Sequence, residues 1–233
     1  MSGSAVEELR SRVLRANLAL PAAGLVKLTW GNVSGIDRAR GLVVIKASGV
    51  PYETMTAADM VVVDLDGRVV EGGRPSTDTP THLALYSTFP ELGGVVHTHS
   101  TWATAWAQAE RPIPVLGTTH ADLSPLAVPL SRALTGEEVD AAYEASTGTV
   151  IVEALAGHTT AEVPGVLVRS HGPFCWGDSP EAAVEHAITL EEVARIAHLT
   201  EQLRPGGPEL AGYVRKKHFE RKHGPHAYYG QAG

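Results

Sequence analysis

The 233-residue sequence predicts one α/β domain: a mixed, mainly antiparallel β-sheet flanked by helices. Three observations carry this. Helical and strand signals alternate along the chain. The strand signals are short. Several of them are joined by turns too tight for a crossover helix, such as Asp66-Gly67 and His171-Gly172-Pro173.

The elements follow in order. Ser4 followed by Glu7 reads as a capping box, and Val6, Leu9, Val13 and Leu14 recur at helical spacing up to Pro21. Residues 42–46 read as a strand between Gly41 and Gly49. Residues 60–65 and 68–71 form a hairpin around Asp66-Gly67. A helix over 79–89, a strand over 93–99 and a helix over 102–109 come next. Two strands, 164–169 and 174–176, flank the His171 turn, and 156–161 reads as a surface loop. Ser179 caps a long helix from Pro180 to about Leu203, broken by Arg204-Pro205-Gly206-Gly207-Pro208. A last helix, 209–222, leads into a tail, 223–233.

Composition excludes several classes of function. Nineteen Lys and Arg against 26 Asp and Glu give a net charge of −7, the wrong sign for a general nucleic-acid binder. The single cysteine, Cys175, excludes a disulfide framework and a thiolate-rich metal site. The apolar runs are far too short to cross a bilayer, and MSGSAVEELR lacks a signal-type apolar stretch. The expectation is a soluble cytoplasmic protein with no nucleic-acid or membrane partner.

The 11 histidines are unusual, and two of them stand as His97-Thr98-His99 at the end of an apolar strand. Residues i and i+2 of a strand share a face, so both imidazoles can reach one ion. A divalent metal needs a third ligand and often a fourth. His171, in a tight turn, is the best third candidate, and Asp78 a fourth. A lone His-x-His is otherwise an ordinary pair of hydrogen-bonded side chains.

Polar turns at Gly31-Asn32, Lys46-Ala47-Ser48-Gly49 and Ser76-Thr77 present small residues and hydroxyls that suit an oxyanion, with Lys46 as a charge. Ser76 and Thr77 also precede a helix N-terminus, which favours phosphate. Ordinary turn chemistry and capping explain the same residues equally well. Asp122 reads as a loop aspartate. His218, Arg221, His223, Tyr228 and Tyr229 read either as a solubilising, packing tail or as groups that close a site on a neighbouring subunit. Glu144, Glu153 and the Glu191-Glu192 pair are acid/base candidates by residue type; the pair, inside the long helix, reads as a solvated or intersubunit face, and His82, His158, His186 and His198 take the same reading.

Taken together, these motifs resemble the class II, metal-dependent aldolase/epimerase family from about Val13 to Gln231. The segments that carry the resemblance are Thr29-Trp30-Gly31-Asn32-Val33-Ser34, Asp78-Thr79-Pro80-Thr81-His82, His97-Thr98-His99-Ser100 and Ser170-His171-Gly172-Pro173-Phe174. Thr118-Thr119-His120-Ala121-Asp122 and Tyr228-Tyr229-Gly230-Gln231 point to its epimerase branch.

The resemblance implies a class II aldolase-like fold and a zinc site, with manganese or cobalt as alternatives. His97, His99 and His171 match the family's ligands, with Asp78 a weaker fourth. Gly31, Asn32, Ser48, Gly49, Ser76 and Thr77 match its phosphate pocket, with Lys46 close by. Asp122 and Tyr229 match its acid/base pair. Tyr229 is supplied in the family by an adjacent subunit of a C4 homotetramer, and His218 and Arg221 line that composite site. The implied substrate is a phosphorylated ketopentose, inverted at C4 by cleaving and remaking C3–C4. A sugar-phosphate aldolase of the L-fuculose-phosphate type and a non-catalytic adducin-like scaffold are the alternatives.

Overall fold

A computed structural model describes residues 3–230. Seven strands form one sheet in the order β4-β3-β2-β1-β5-β7-β6, with every neighbouring pair antiparallel. They are β1 (Asn32–Asp37), β2 (Leu42–Lys46), β3 (Met60–Asp64), β4 (Val69–Glu71), β5 (Gly94–His97), β6 (Gly165–Val168) and β7 (Gly172–Gly177). A parallel contact occurs as an isolated bridge between Leu130 and Leu167.

Helices cover both faces, so β2, β3, β5, β6 and β7 are buried on both sides, while the edge strand β4 is exposed. On one face, Val33, Val44, Val62 and Val96 pack with α1 (Gly3–Ala22), α3 (Thr101–Gln108) and α6 (Pro180–Leu203). On the other, Val43, Val61, Val95, Phe174 and Trp176 pack with α2 (Thr79–Thr88) and α5 (Gly136–Ala154). Side chains two apart along each strand thus enter the same core. Two further helices, α4 (Thr118–Leu123) and α7 (Gly212–His223), pack on each other beside α6. Among the described residues no helix is long and apolar enough to cross a membrane.

Several boundaries differ from the sequence reading, each for a local reason. The first helix already includes Ser4, so that residue does not stand at the cap; its side chain lies outside the described residues. The strand over 93–99 ends at His97, because the chain must turn into α3. Asn32 opens β1 instead of a turn, paired directly with His97. Asp122 lies on α4, not in a loop. The last helix starts at Gly212. Residues 155–164 form the expected loop. The sequence reading missed α5, although Thr135 and Glu138 at its start make a reciprocal capping box.

Candidate metal centre and phosphate pocket

The site lies at one end of the sheet. Asn32, His97 and Phe174 are direct cross-strand partners on β1, β5 and β7, so their side chains share one face. The His97 ring stacks on Phe174 with centroids 4.1 Å apart. His99 follows in the link to α3, and His171 sits at the tip of the β6–β7 hairpin. Ser170, just before it, adopts a left-handed φ of 60°, uncommon for a residue other than glycine. That kink turns His171 back toward the strand ends.

The three histidines converge. His99 Nε2 lies 3.1 Å from His97 Nε2 and 3.1 Å from His171 Nε2. All three ligand atoms lie within 4.8 Å of one another. Tetrahedral zinc with bonds of about 2.0–2.1 Å places neighbouring nitrogens about 3.3 Å apart, close to the spacing here. His97 Nδ1–H donates to the Pro173 carbonyl at 3.0 Å, which leaves the Nε2 lone pair facing the cluster. Burial holds all three imidazoles below their ordinary pKa, His97 down to about 3. Neutral imidazoles with lone pairs directed at one point are what a divalent cation requires, so the donor set fits.

Asp78 lines the same pocket but is not one of the three converging donors. Its Oδ2 accepts from Asn32 Nδ2 at 2.7 Å. Burial opposes its ionisation, yet the neighbouring histidines and the Asn32 amide leave its pKa below the ordinary value. Asn32 Nδ2 also reaches Ser76 Oγ at 3.1 Å, tying β1 to the turn before α2.

The histidines open into a cavity of about 400 Å³. Its walls hold every residue expected for phosphate: Gly31, Asn32, Lys46, Ser48, Gly49, Ser76 and Thr77. Gly31 has a φ of 77°, and a Cβ there would sit 2.9 Å from the His97 carbonyl oxygen; only glycine lets the loop approach the metal strand. Lys46 is 2% exposed. Its Nζ finds the Ala47 carbonyl at 3.3 Å and the Thr29 carbonyl at 3.5 Å, and burial lowers its pKa.

A second cluster forms elsewhere on the chain. Arg221 pairs with Asp122 through two bonds, Nε to Oδ1 at 3.0 Å and Nη2 to Oδ2 at 2.7 Å. His218 Nδ1 lies 3.1 Å from the same Oδ1. The Arg221 guanidinium covers the Tyr229 ring at 4.2 Å. Burial raises the Asp122 pKa, but the Arg221 and His218 contacts outweigh it and leave the carboxylate ionised. Asp122, His218, Arg221 and Tyr229 are thus gathered together, but none lines the histidine pocket of its own chain.

Thr29, Trp30 and Tyr143 line the pocket with no role given from the sequence, and Glu144, an acid/base candidate by residue type, lines it as well. Trp30 lies near the rim, its ring 6.2 Å from that of His99. No spacing rule marks any of them. Glu191, read from the sequence as a solvated or intersubunit face, accepts from the amides of Trp102 (2.8 Å) and Ala103 (2.9 Å) at the start of α3. His82, given the same surface reading, is instead fully buried, with Nδ1 2.7 Å from Ser34 Oγ.

Comparisons with known proteins bear on the family and the fold. Residues 11–198 match the model of the class II aldolase and adducin N-terminal domain family. The L-ribulose-5-phosphate 4-epimerase UlaF of Salmonella typhi is 58% identical over 227 residues, covering 97% of this chain and all of its own. The protein of the same name from Salmonella paratyphi C is 57% identical over the same length. Among solved structures, an L-fuculose 1-phosphate aldolase superposes with a TM-score of 0.78 at 25% identity, covering 92% of this chain and 95% of its own. The l-fuculose-1-phosphate aldolase of Thermus thermophilus gives 0.67 at 29% identity, with 87% and 98% covered. The chain belongs to the class II aldolase and adducin N-terminal domain family.

Proposed function

We propose that this chain is an L-ribulose-5-phosphate 4-epimerase, interconverting L-ribulose 5-phosphate and D-xylulose 5-phosphate. The carrying observation is the convergence of His97, His99 and His171 on a pocket walled by phosphate-suited loops, in a chain 58% identical from end to end to relatives of that name. Identity at that level favours epimerase over the aldolase reading, whose solved relatives stand at 25% and 29%.

C4 carries no acidic hydrogen, so inversion by simple deprotonation is closed. Cleavage of C3–C4 avoids this. A base takes the C4 hydroxyl proton, the C4–O electrons form an aldehyde, and the C3–C4 pair moves to C3 as an enediolate. A divalent cation bound by the three histidines, with Asp78 alongside, supplies electrophilic stabilisation of that charge; zinc is the proposed ion, with manganese or cobalt as alternatives. The glycolaldehyde phosphate fragment turns its other face, C3–C4 re-forms, and an acid protonates the new C4 oxygen. Opposite faces need two proton-transfer groups.

Asp122 and Tyr229 are proposed as that pair. Asp122 is held ionised by Arg221 and His218, which suits a base. Gly31, Asn32, Ser48, Gly49, Ser76 and Thr77, with the Lys46 charge, would hold the phosphate so that the cleaved fragment does not escape. Because the Asp122 cluster stands apart from its own chain's pocket, it is proposed to serve the pocket of an adjacent subunit in a C4 tetramer. Residues 223–233 would form the reaching tail. Asp122 and Tyr229 both meet Arg221, so one chain would deliver both.

An NMR time course of L-ribulose 5-phosphate with metal-loaded protein, beside Tyr229→Phe, tests this. D-Xylulose 5-phosphate should form, and the variant should slow it strongly. Free dihydroxyacetone and glycolaldehyde phosphate would mean that the fragments are not retained. No turnover by a metal-loaded protein would remove the substrate assignment.

A further inference from the structure

His171 differs from His97 in how its outer nitrogen is held. His97 Nδ1 meets a backbone carbonyl, a fixed acceptor. His171 Nδ1 meets a side chain, the Tyr143 hydroxyl, at 3.1 Å. The two rings also lie nearly parallel, with centroids 6.1 Å apart and planes 29° from each other.

Tyr143 owes its place to a break in α5. Ala142 leaves helical geometry (φ −165°, ψ 74°), and Tyr143 and Glu144 turn to the pocket wall at that point. The break is clamped from α2, where Thr81 Oγ1 donates to the Glu144 carbonyl at 2.6 Å. Further along α5, Gly148 faces Ala84 so closely that a Cβ would lie 2.5 Å from the alanine methyl, so α5 presses directly on α2. The N-terminal side is anchored by the Thr135–Glu138 box and by Arg132 paired to Glu138 at 2.7 Å. A helix interrupted where it touches a site, and pinned on both sides of the interruption, is a positioning device.

We infer that Tyr143 is a positioning residue acting through His171: its oxygen accepts Nδ1–H and so fixes the tautomer that presents Nε2 to the ion. A neutral imidazole carries one N–H, and a proton left on Nε2 would point at His99 Nε2, only 3.1 Å away, and block coordination. Tyr143 keeps its own proton. A phenol that accepts this bond through its oxygen still carries its own O–H, which remains available to the pocket. The inference rests on the metal reading above and adds an outer partner to it.

Metal affinity measured by competition with a chromogenic chelator tests it, on wild type, Tyr143→Phe and Thr81→Val, each also melted as apoprotein. Loss of an outer-shell partner should weaken zinc binding by about 10–100-fold in Tyr143→Phe, with the apo melting temperature unchanged. Thr81→Val keeps the phenol but loosens its mount, so a smaller loss in the same direction is expected. The cobalt-loaded Tyr143→Phe should show a shifted visible absorption band. Zinc affinity of Tyr143→Phe equal to wild type overturns the inference. So does a lowered apo melting temperature in both variants with affinity unchanged, which would mark α5 as structural only. If wild type itself binds no zinc, the metal reading fails instead, and the two failures are thereby distinguished.

Discussion

Glu191 projects from α6 and caps a helix distant in sequence. Its two carboxylate oxygens accept from the amides of Trp102 and Ala103, the second and third residues of α3. Ser100, at the N-cap position, makes no side-chain capping bond. The amides of an opening helical turn have no partner within the helix, and its dipole favours an anion there. Glu191→Ala removes both acceptors and Glu191→Gln retains one, without the charge. A charge-assisted bond contributes about 1.5–3 kcal/mol and an ordinary cap about 1 kcal/mol, so losing both bonds costs about 3 kcal/mol for alanine, and keeping one ordinary bond leaves a cost of about 2 kcal/mol for glutamine. In a chain of this size each kcal/mol moves the melting temperature by about 2–4 °C, so alanine should lower it by about 6–12 °C and glutamine by about 4–8 °C. Circular-dichroism melts of metal-free protein read this directly. Since α3 begins two residues after His99, zinc affinity should fall in the same order. A glutamine variant as damaged as the alanine one, or an alanine variant melting within about 2 °C of wild type, would refute the capping argument.

Three more outcomes follow from the pocket and the core. Lys46→Met should stabilise the apoprotein by about 1 kcal/mol while weakening phosphate-ester binding about 10–100-fold, because a buried ammonium held by two carbonyls is relieved only by an anion. The folded pKa of Lys46 lies below its unfolded value, so its penalty is complete below the folded pKa and fades as pH rises toward 10.5; urea melts at pH 7 and 10 should converge for the two proteins. Stripping the ion with a chelator should lower stability by about 4 kcal/mol relative to protein at a thousandfold excess of free zinc over Kd, and an unchanged calorimetric melt would mean that the histidines hold no ion. His82 and His120 are held at about 4 by burial, below the unfolded value of 6.5. The unfolded chain binds more protons between those values, so stability present above pH 6.5 is lost on acidification toward 4, at up to about 1.4 kcal/mol per unit for each. His82→Gln should flatten that slope in urea melts at pH 7, 5.5 and 4.5, and an unaltered slope would exclude it as a source.

What was legible in the sequence followed from short-range rules. The β3–β4 hairpin was readable because Asp66-Gly67 fixes its turn, and α6 because Ser179, Pro180 and Leu203 mark its ends. His97 and His99 were readable as a pair, although the strand stops between them and the turn into α3 completes the convergence. The third histidine comes through Ser170, whose left-handed backbone no propensity announces. Glu191 and Tyr143 were beyond reach for a different reason. Each acts on a segment dozens of residues away, and the α-helix that carries it gives the same local signal whether its side chain meets solvent or a partner. Asp122 was ambiguous because a lone aspartate becomes an anchored one only when α7 brings Arg221 and His218 against α4.

The likeness to L-fuculose 1-phosphate aldolase locates where the two chemistries can part. Both readings require C–C cleavage beside a cation, so the histidine triad serves either and discriminates neither. The difference is the fate of the aldehyde fragment. An aldolase must let it leave, whereas an epimerase must keep it long enough to turn and be attacked on its other face. Under the proposed function, retention is a binding problem set by the loops proposed to hold the phosphate. Here Lys46 sits buried beside two backbone carbonyls, and Ser76, Asn32 and Asp78 are tied into one hydrogen-bonded frame. Re-attack is a proton-transfer problem that needs a second group on the far side; the proposed group, Asp122, is kept ionised by its Arg221 and His218 partners. Lys46→Met therefore acts on a different step from Asp122→Asn. The first should release fragments into solution while bond cleavage continues, and the second should slow turnover without fragments appearing. A Lys46→Met protein that turns over slowly with no free glycolaldehyde phosphate would place the distinction between the two activities somewhere other than the phosphate walls.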